Sequence, residues 1–197
     1  MDMHAPVLSG YGVRLEQLTL EHAEDLKTAC SDGNLGDIFY TSAPYPHTVE
    51  AYIQKALEQQ AKGERIPFAV INGQTNRAIG STSYHDIKPE IPRLEIGYTW
   101  YAQSFQGTHV NRACKYLLLQ HAFETLNAPV VAFRTDHLNL RSQAAIRALG
   151  AKQDGILRCH TLRKDGKTVR DTVMFSILQS EWPAVKAKLE DFLKART

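Results

Sequence analysis

The residues with the clearest chemical potential form a short polar loop, Gln106-Gly107-Thr108-His109-Val110-Asn111, between an alternating segment and a long run at helical spacing. A strand that turns through such a loop into a helix leaves several backbone N–H groups aimed at one point, and the helix dipole adds partial positive charge there. That arrangement binds anions, phosphate above all. A single glycine is also what an ordinary turn contains, so the loop is read together with Asn139 and Ser142 at the start of the next helical run. There an amide and a hydroxyl can reach a ligand lying between the two helix starts. Asn139 equally suits a simple N-cap, and both roles can hold at once.

Other chemistry is sparse. The 8 histidines are scattered without the spacing of a metal site, so no metal is expected. No Gly-x-Ser-x-Gly element is present. Cys30, Cys114 and Cys159 form no Cys-x-x-Cys pair and read as reduced thiols, with Cys114 a core residue rather than a nucleophile. A net charge of +2, with no long Lys/Arg run, gives no reason to expect nucleic acid as a partner. The N-terminal MDMHAPVLSGYG lacks a basic start followed by an apolar run, and no segment approaches a membrane span, so a cytoplasmic protein with no membrane partner is expected.

The elements that would position these residues follow from periodicity. After a loose start, Val13 to Leu18 alternates as a strand, and Thr19 caps a helix through Leu20, Ala23, Leu26 and Ala29 that stops at Gly33. Asn34 to His47, with Tyr40, Pro44, Tyr45 and Pro46, is a loop or broken helix that lines a substrate mouth or merely connects. Thr48 caps a second helix to Lys62, and strands follow over Arg65 to Ile71, Ala78 to Ile87 and Leu94 to Tyr101. Alternation places Leu94, Ile96, Tyr98 and Trp100 on one face of the last strand and Glu95, Thr99 and Tyr101 on the other. Gly97 in its middle marks a bulge or a close approach.

The long helix from about Thr108 to Leu126 is apolar over a wide arc and must be largely covered. Val130 to Thr135 is a strand, and Asn139 opens a helix that ends at Gly150. Gly155 to Arg163 and Thr168 to Leu178 form a hairpin around an Asp165-Gly166 turn, and Ser180 caps a final amphipathic helix. The order is one domain over 1–197, a mixed α/β (α+β) sheet of about seven strands with helices on its faces, with its core over about 13–178 and a C-terminal helix over about 180–194.

The chain resembles the GNAT superfamily of acetyl-CoA-dependent N-acetyltransferases, and within it the branch that acetylates the N-terminal amines of ribosomal proteins. The residues that carry the resemblance are Glu95-Ile96-Gly97-Tyr98 with Trp100, Gln106-Gly107-Thr108, Asn139 with Ser142, and Leu149-Gly150-Ala151. It implies a GNAT-like domain with a mostly antiparallel sheet and a splayed strand pair, and acetyl-CoA as co-substrate with no metal. It implies that Tyr98, Thr99 and Trp100 pair with the pantetheine arm, and that Gln106, Gly107, Thr108, His109, Val110 and Asn111 hold the pyrophosphate. Asn139 would bond to the pantetheine region, and Ser142 would lie near the sulfur as the general acid. Four positions depart from the family pattern. His109 and Asn111 stand where the loop carries small residues, Ile146 stands where many relatives have an acid tyrosine, and Thr161 stands where the ribosomal branch has its glutamate base.

The reaction implied is direct attack of a neutral amine on the thioester. An α-amine, with a pKa of about 7.7–8, asks less of an enzyme without an evident base than an alkylamine does. Glu95 or His160 is expected to assist deprotonation through water, and Tyr40, Tyr45, Tyr84 and Tyr101 are candidates to line the acceptor groove. The acceptor expected is a protein N-terminus, that of a ribosomal protein included, or a small-molecule amine, in a monomer or homodimer. Two other readings stand beside this one: transfer of another acyl group from its CoA ester, and a CoA-binding module without catalysis.

Overall fold

The computed structural model describes residues 4–196; residues 1–3, part of the N-terminal stretch read for a leader, and residue 197 lie outside them. Eight strands form one sheet: β1 (Leu8–Gly10), β2 (Val13–Gln17), β3 (Arg65–Asn72), β4 (Ala78–Lys88), β5 (Arg93–Tyr101), β6 (Val130–Asp136), β7 (Lys152–Leu162) and β8 (Val169–Leu178). Their spatial order is β1-β2-β3-β4-β5-β6-β8-β7. The short edge strand β1, which pairs with β2 across a turn at Tyr11 and Gly12, falls within the stretch read above as a loose start. Three residues carry too little alternation to register as a strand in sequence.

The helices divide between the faces. α1 (Ala23–Ser31) and α2 (Val49–Ala61) cover one face and build a core with Leu18, Ile71, Trp100 and Ala102. α3 (Val110–Gln120), which runs on into a π-helical turn at His121–Thr125, and α5 (Trp182–Lys194) cover the other, over Phe68, Tyr84, Leu94, Ile96, Phe133 and Phe175. α4 (Leu140–Ala148) follows β6 and is capped by Asn139, whose Oδ1 accepts the Ser142 N–H at 3.0 Å. Two expected caps act differently. The Thr48 hydroxyl closes the preceding turn on Tyr45, and Ser180 lies in a short turn before α5, where Glu181 accepts the Leu178 N–H. The β7–β8 connection is also longer than a two-residue turn: Arg163 and Thr168 close it, and Asp165 Oδ1 accepts the N–H groups of both Lys167 and Thr168 at 2.9 Å.

All neighbouring strands are antiparallel except β5 and β6, which are parallel and joined at only two positions, Leu94↔Val131 and Glu95↔Ala132. Beyond them the two strands diverge. Glu95 is fully buried at this junction, and Arg134 Nε donates to its Oε2 at 2.6 Å while Arg134 Nη2 reaches Asp86 at 2.8 Å. The expected faces of β5 hold only as far as Ile96. Tyr98 has a φ of 50°, and the β4 register steps from Ser83↔Gly97 to Ser81↔Trp100, so a bulge inserts one residue. Thr99 and Tyr101 therefore join Leu94 and Ile96 on the α3 face, while Trp100 joins Glu95 on the α1/α2 face.

The junction carries a stability prediction. Arg134→Met leaves a buried carboxylate with only Arg93 Nη2 at 3.4 Å, and is expected to cost about 3–5 kcal/mol in urea unfolding. The double variant Glu95→Leu/Arg134→Met should recover most of that loss. Equal losses in the single and double variants would show that the pair does not hold the junction.

Candidate active site

Where β5 and β6 diverge, a cavity of about 860 Å³ opens through the sheet. Its walls are the bulged half of β5, the end of β6, one face of α4 with Asn139 and Ser142, and the loop into α3. One end is bounded by Phe192 and Arg196 of the C-terminal segment, and the other by residues 35–42 and the β7–β8 hairpin. Because β6 has left, the edge of β5 from Ile96 to Tyr101 that faces it has no strand partner, and an extended ligand can pair with it.

The loop Gln106 to His109 leads to the α3 start. Gly107 has a φ of 78°, a conformation that favours glycine, and nothing stands within 4 Å of where its side chain would be. Gln106 Nε2 ties the loop to the Tyr101 carbonyl at 2.8 Å, and the Thr108 hydroxyl donates to Phe105 O at 2.7 Å. Val110 and Ala113 N–H groups find acceptors, whereas those of Gly107, Thr108, His109, Asn111 and Arg112 have none among the described residues. Five N–H groups left free around a helix start are an arrangement that suits an anion. The imidazole of His109 is turned away, with its Nε2 near Gly12 of the β1–β2 turn, and is not part of the cavity wall. At this end Arg112 and Arg196 both lie over the Phe192 ring, at 3.7 and 4.7 Å from its centroid.

Two expected bases are displaced from the cavity. The Glu95 carboxylate is consumed by Arg134 and Arg93 beneath the strand and does not line the cavity. His160 is exposed on β7 with Nδ1 at 3.1 Å from Thr172 Oγ1, also off the cavity wall. Among the tyrosines, Tyr40 and Tyr101 line the cavity, but Tyr84 is a core residue whose hydroxyl donates to Leu118 O at 2.6 Å, and Tyr45 lies outside. Ser142 and Ile146 both face the cavity, one turn apart on α4. Cys114 is buried, and burial pushes its thiol up to about 12.

His85 and Lys115 are among the cavity-lining residues not singled out from sequence. His85 packs against the Cα of Gly97 and edge-on to Tyr98, which is why a side chain at 97 would collide. Burial, reinforced by Arg134, pushes its imidazole down to about 3, so it is neutral. Lys115 is 5% exposed and has no carboxylate partner among the described residues; its Nζ donates to Thr99 Oγ1 at 2.7 Å and Thr82 Oγ1 at 3.4 Å. Burial pushes this amine down to about 7. A lysine one residue after Cys114, inside the apolar arc of α3, was the signal that could have revealed it.

The family model for the acetyltransferase (GNAT) domain matches residues 13–152. A provisionally named acetyltransferase from T. thermophilus is 36% identical, with a TM-score of 0.85, over 98% of this chain and 100% of that one. A GCN5-related N-acetyltransferase from Brucella melitensis is 26% identical, with a TM-score of 0.84, over 95% of this chain and 85% of that one. Mycobacterium smegmatis RimJ, in complex with CoA-disulfide, shares the fold at 17% identity and a TM-score of 0.77, over 98% of this chain and 94% of that one. No curated protein matches the sequence. Among the described residues no group of three or more His, Cys, Asp or Glu could hold a metal, and no helix is long and apolar enough to cross a membrane.

Lys115 gives a pH prediction. A lysine whose folded value lies below its unfolded one, here about 7 against 10.5, destabilises the fold while it is charged. That cost is present in full below about pH 7 and fades as the pH rises towards 10.5. Lys115→Met removes it, so the stability of the variant relative to wild type should fall by up to ~1.4 kcal/mol per pH unit above neutrality. Urea unfolding of both proteins at several pH values reads this; a difference independent of pH would contradict it.

Proposed function

The chain belongs to the GNAT acetyltransferase family, and on that premise we propose that it transfers the acetyl group of acetyl-CoA directly to a primary amine, the α-amine of a protein N-terminus or of a small molecule. The observation that carries this reading is the opening between β5 and β6, whose unpaired β5 edge leads straight to the N–H cradle before α3. An extended, amide-bearing arm ending in a pyrophosphate fits that sequence of groups. The RimJ complex with CoA-disulfide, on the same fold, supports the assignment.

In this reading Gly107, Thr108, His109 and Asn111 hold the pyrophosphate through their N–H groups, with His109 contributing backbone only, while Gln106 and Val110 shape the loop. Tyr98, Thr99 and Trp100 offer their backbone to the pantetheine arm, and the Asn139 amide, its oxygen engaged as a cap, offers its N–H₂ to the same arm. Acetyl-CoA supplies the thioester carbonyl and a thiolate leaving group. Ser142, with no side-chain hydrogen bond among the described residues and on the cavity wall, is placed to give a proton to that thiolate. Ile146 supplies only an apolar wall at its side. The hairpin and residues 35–42 bound the end of the cavity assigned to the amine, on the α1/α2 side. With Glu95 locked in its ion pair and His160 off the wall, the acceptor has to arrive largely neutral, which favours an α-amine over an alkylamine. Asp136 does reach the cavity wall, but Arg163 holds its carboxylate, so water takes the proton that the nitrogen loses on forming the amide and returns one to Ser142.

Acetyl-CoA-dependent thiol release should appear with N-terminal peptides or amino-acid-like amines before polyamines or aminoglycosides. Ser142→Ala should lower kcat by about 10²-fold or more with CoA affinity kept. Thermal stabilisation by CoA without thiol release from any amine would favour a binding module, and release only with longer acyl chains would favour another acyl transfer.

His109→Ala tests the loop geometry. Because the imidazole lies outside the cavity, CoA affinity should change by no more than about twofold. A loss of tenfold or more would show that the side chain takes part.

A further inference from the structure

The charges along the cavity sort into paired and unpaired: Arg112, Lys115, Arg141 and Arg196 also lack a carboxylate among the described residues, and Arg170 is the unpaired cation on β8, beside the hairpin. Arg134 is neutralised by Glu95 and Asp86, at 2.6 and 2.8 Å. Arg163 is neutralised by Asp136, at 2.7 Å through Nε and 3.3 Å through Nη2. Asp136 also accepts the Leu138 N–H at 2.9 Å, so its oxygens are engaged. Lys164 donates to the Gly36 carbonyl and lies over the Tyr45 ring.

Arg170, on β8, has no such partner. It is half-buried and lines the cavity, and its one hydrogen bond is from Nε to Thr172 Oγ1 at 3.0 Å. No carboxylate comes within ion-pair distance of it among the described residues. The strand register fixes where it points: Asp136 lies opposite Thr172, and Arg170 shares the face of Thr172 two residues on, the α1/α2 side from which the acceptor enters. Its Nη groups therefore keep their donors towards the cavity with no acceptor among the described residues. Burial and the neighbouring Arg134 and Arg163 all disfavour its charge, and Asp136 opposes them only in part. A guanidinium left in this state is matched by an oxyanion that accepts its fork in parallel.

Resting on the acetyl-transfer reading, we propose that Arg170 is the acceptor-recognition residue and that the physiological acceptor is an amine that also carries a carboxylate. The carboxylate belongs either to a free amino acid or to an acidic residue close to a peptide N-terminus. The same charge disfavours polyamines and aminoglycosides, which bring only further positive charge.

The test uses matched acceptors on the full-length protein with CoA bound. One arm compares amino acids with their α-amides; the other compares short peptides with Asp or Glu against Asn or Gln in their first positions. Calorimetric binding and acetyl-CoA-dependent turnover are both measured, for wild type, Arg170→Gln and Arg170→Lys, with CoA titration and melting temperature reporting that each variant folds. In wild type, one arm should show a preference for the carboxylate of about 10- to 100-fold, and Arg170→Gln should collapse it towards one, while Arg170→Lys keeps part of it. Equal binding of acid and amide in both arms, or a preference that survives Arg170→Gln, overturns the proposal. A weakened CoA affinity in a folded Arg170→Gln variant overturns it as well, since Arg170 would then serve the cofactor. Arginine-dependent binding of the acid without turnover by any acceptor upholds the binding proposal and defeats the acetyl-transfer reading instead.

Discussion

The structure depends on how little joins β5 to β6. Two residue pairs hold the parallel contact between β5 and β6 in the described sheet, and the gap that follows leaves free backbone beside a cavity. Such a gap exposes unpaired backbone N–H and C=O groups in the middle of a sheet, a place where their loss of partners is costly. The buried Glu95–Arg134 pair sits at the apex and ties the strands together where the ladder stops. A buried ion pair of this kind is weak evidence of net stabilisation, but once present it fixes geometry, because either charge alone would be stranded. It also removes Glu95 from chemistry, so one carboxylate cannot serve both as the junction and as a base.

The bulge at Tyr98 is the second consequence of the same gap. By adding one residue to β5 it turns Thr99 towards α3 and Trp100 towards α2, where the indole N–H reaches Tyr52 at 3.3 Å. The two sides of the sheet then acquire separate work. On the α3 side lie the helix start with its N–H cradle, Lys115, Arg112 and Phe192. On the α1/α2 side lie Tyr40, Arg170 and the hairpin, closed over residues 35–42 by Lys164 on Gly36 and by Arg163 over the Phe39 ring at 5.2 Å.

Much of this was legible in the sequence. The strand, loop and helix order around Gly107 and the cap at Asn139 are local, and each reads from spacing and turn chemistry. The alternating faces of β5 failed at Tyr98 because a bulge is set by the partner strand and by the packing of His85 under Gly97, which no single strand displays. Glu95 looked available because its partner is 39 residues away on β6. Lys115 was hidden by its own arc, since a lysine among apolar residues is ordinarily explained by its stem, with the ammonium reaching water. Here the head is buried as well. His109 shows the opposite case: a residue that departs from the family loop is accommodated because the helix phase points it at Gly12 rather than into the cavity.

Lys115 on one side of the cavity and Arg170 on the other, both without a carboxylate partner among the described residues, share a thermodynamic logic. Each is a cost to the empty fold, because burial penalises a charge that has no counter-ion. Arg134, Arg163 and Lys186 are paired with carboxylates, whereas buried Arg65 is held by Ser83, Gln59 and the Tyr52 and Tyr98 rings. Pairing Lys115 or Arg170 with a nearby carboxylate would have stabilised the chain, yet at both positions only threonine hydroxyls are supplied, Thr82 and Thr99 for one and Thr172 for the other. A hydroxyl orients a cation without neutralising it, so the field of each remains available inside the cavity. Stability given up by cations that line a cavity is the pattern expected where selection acts on binding rather than on the fold.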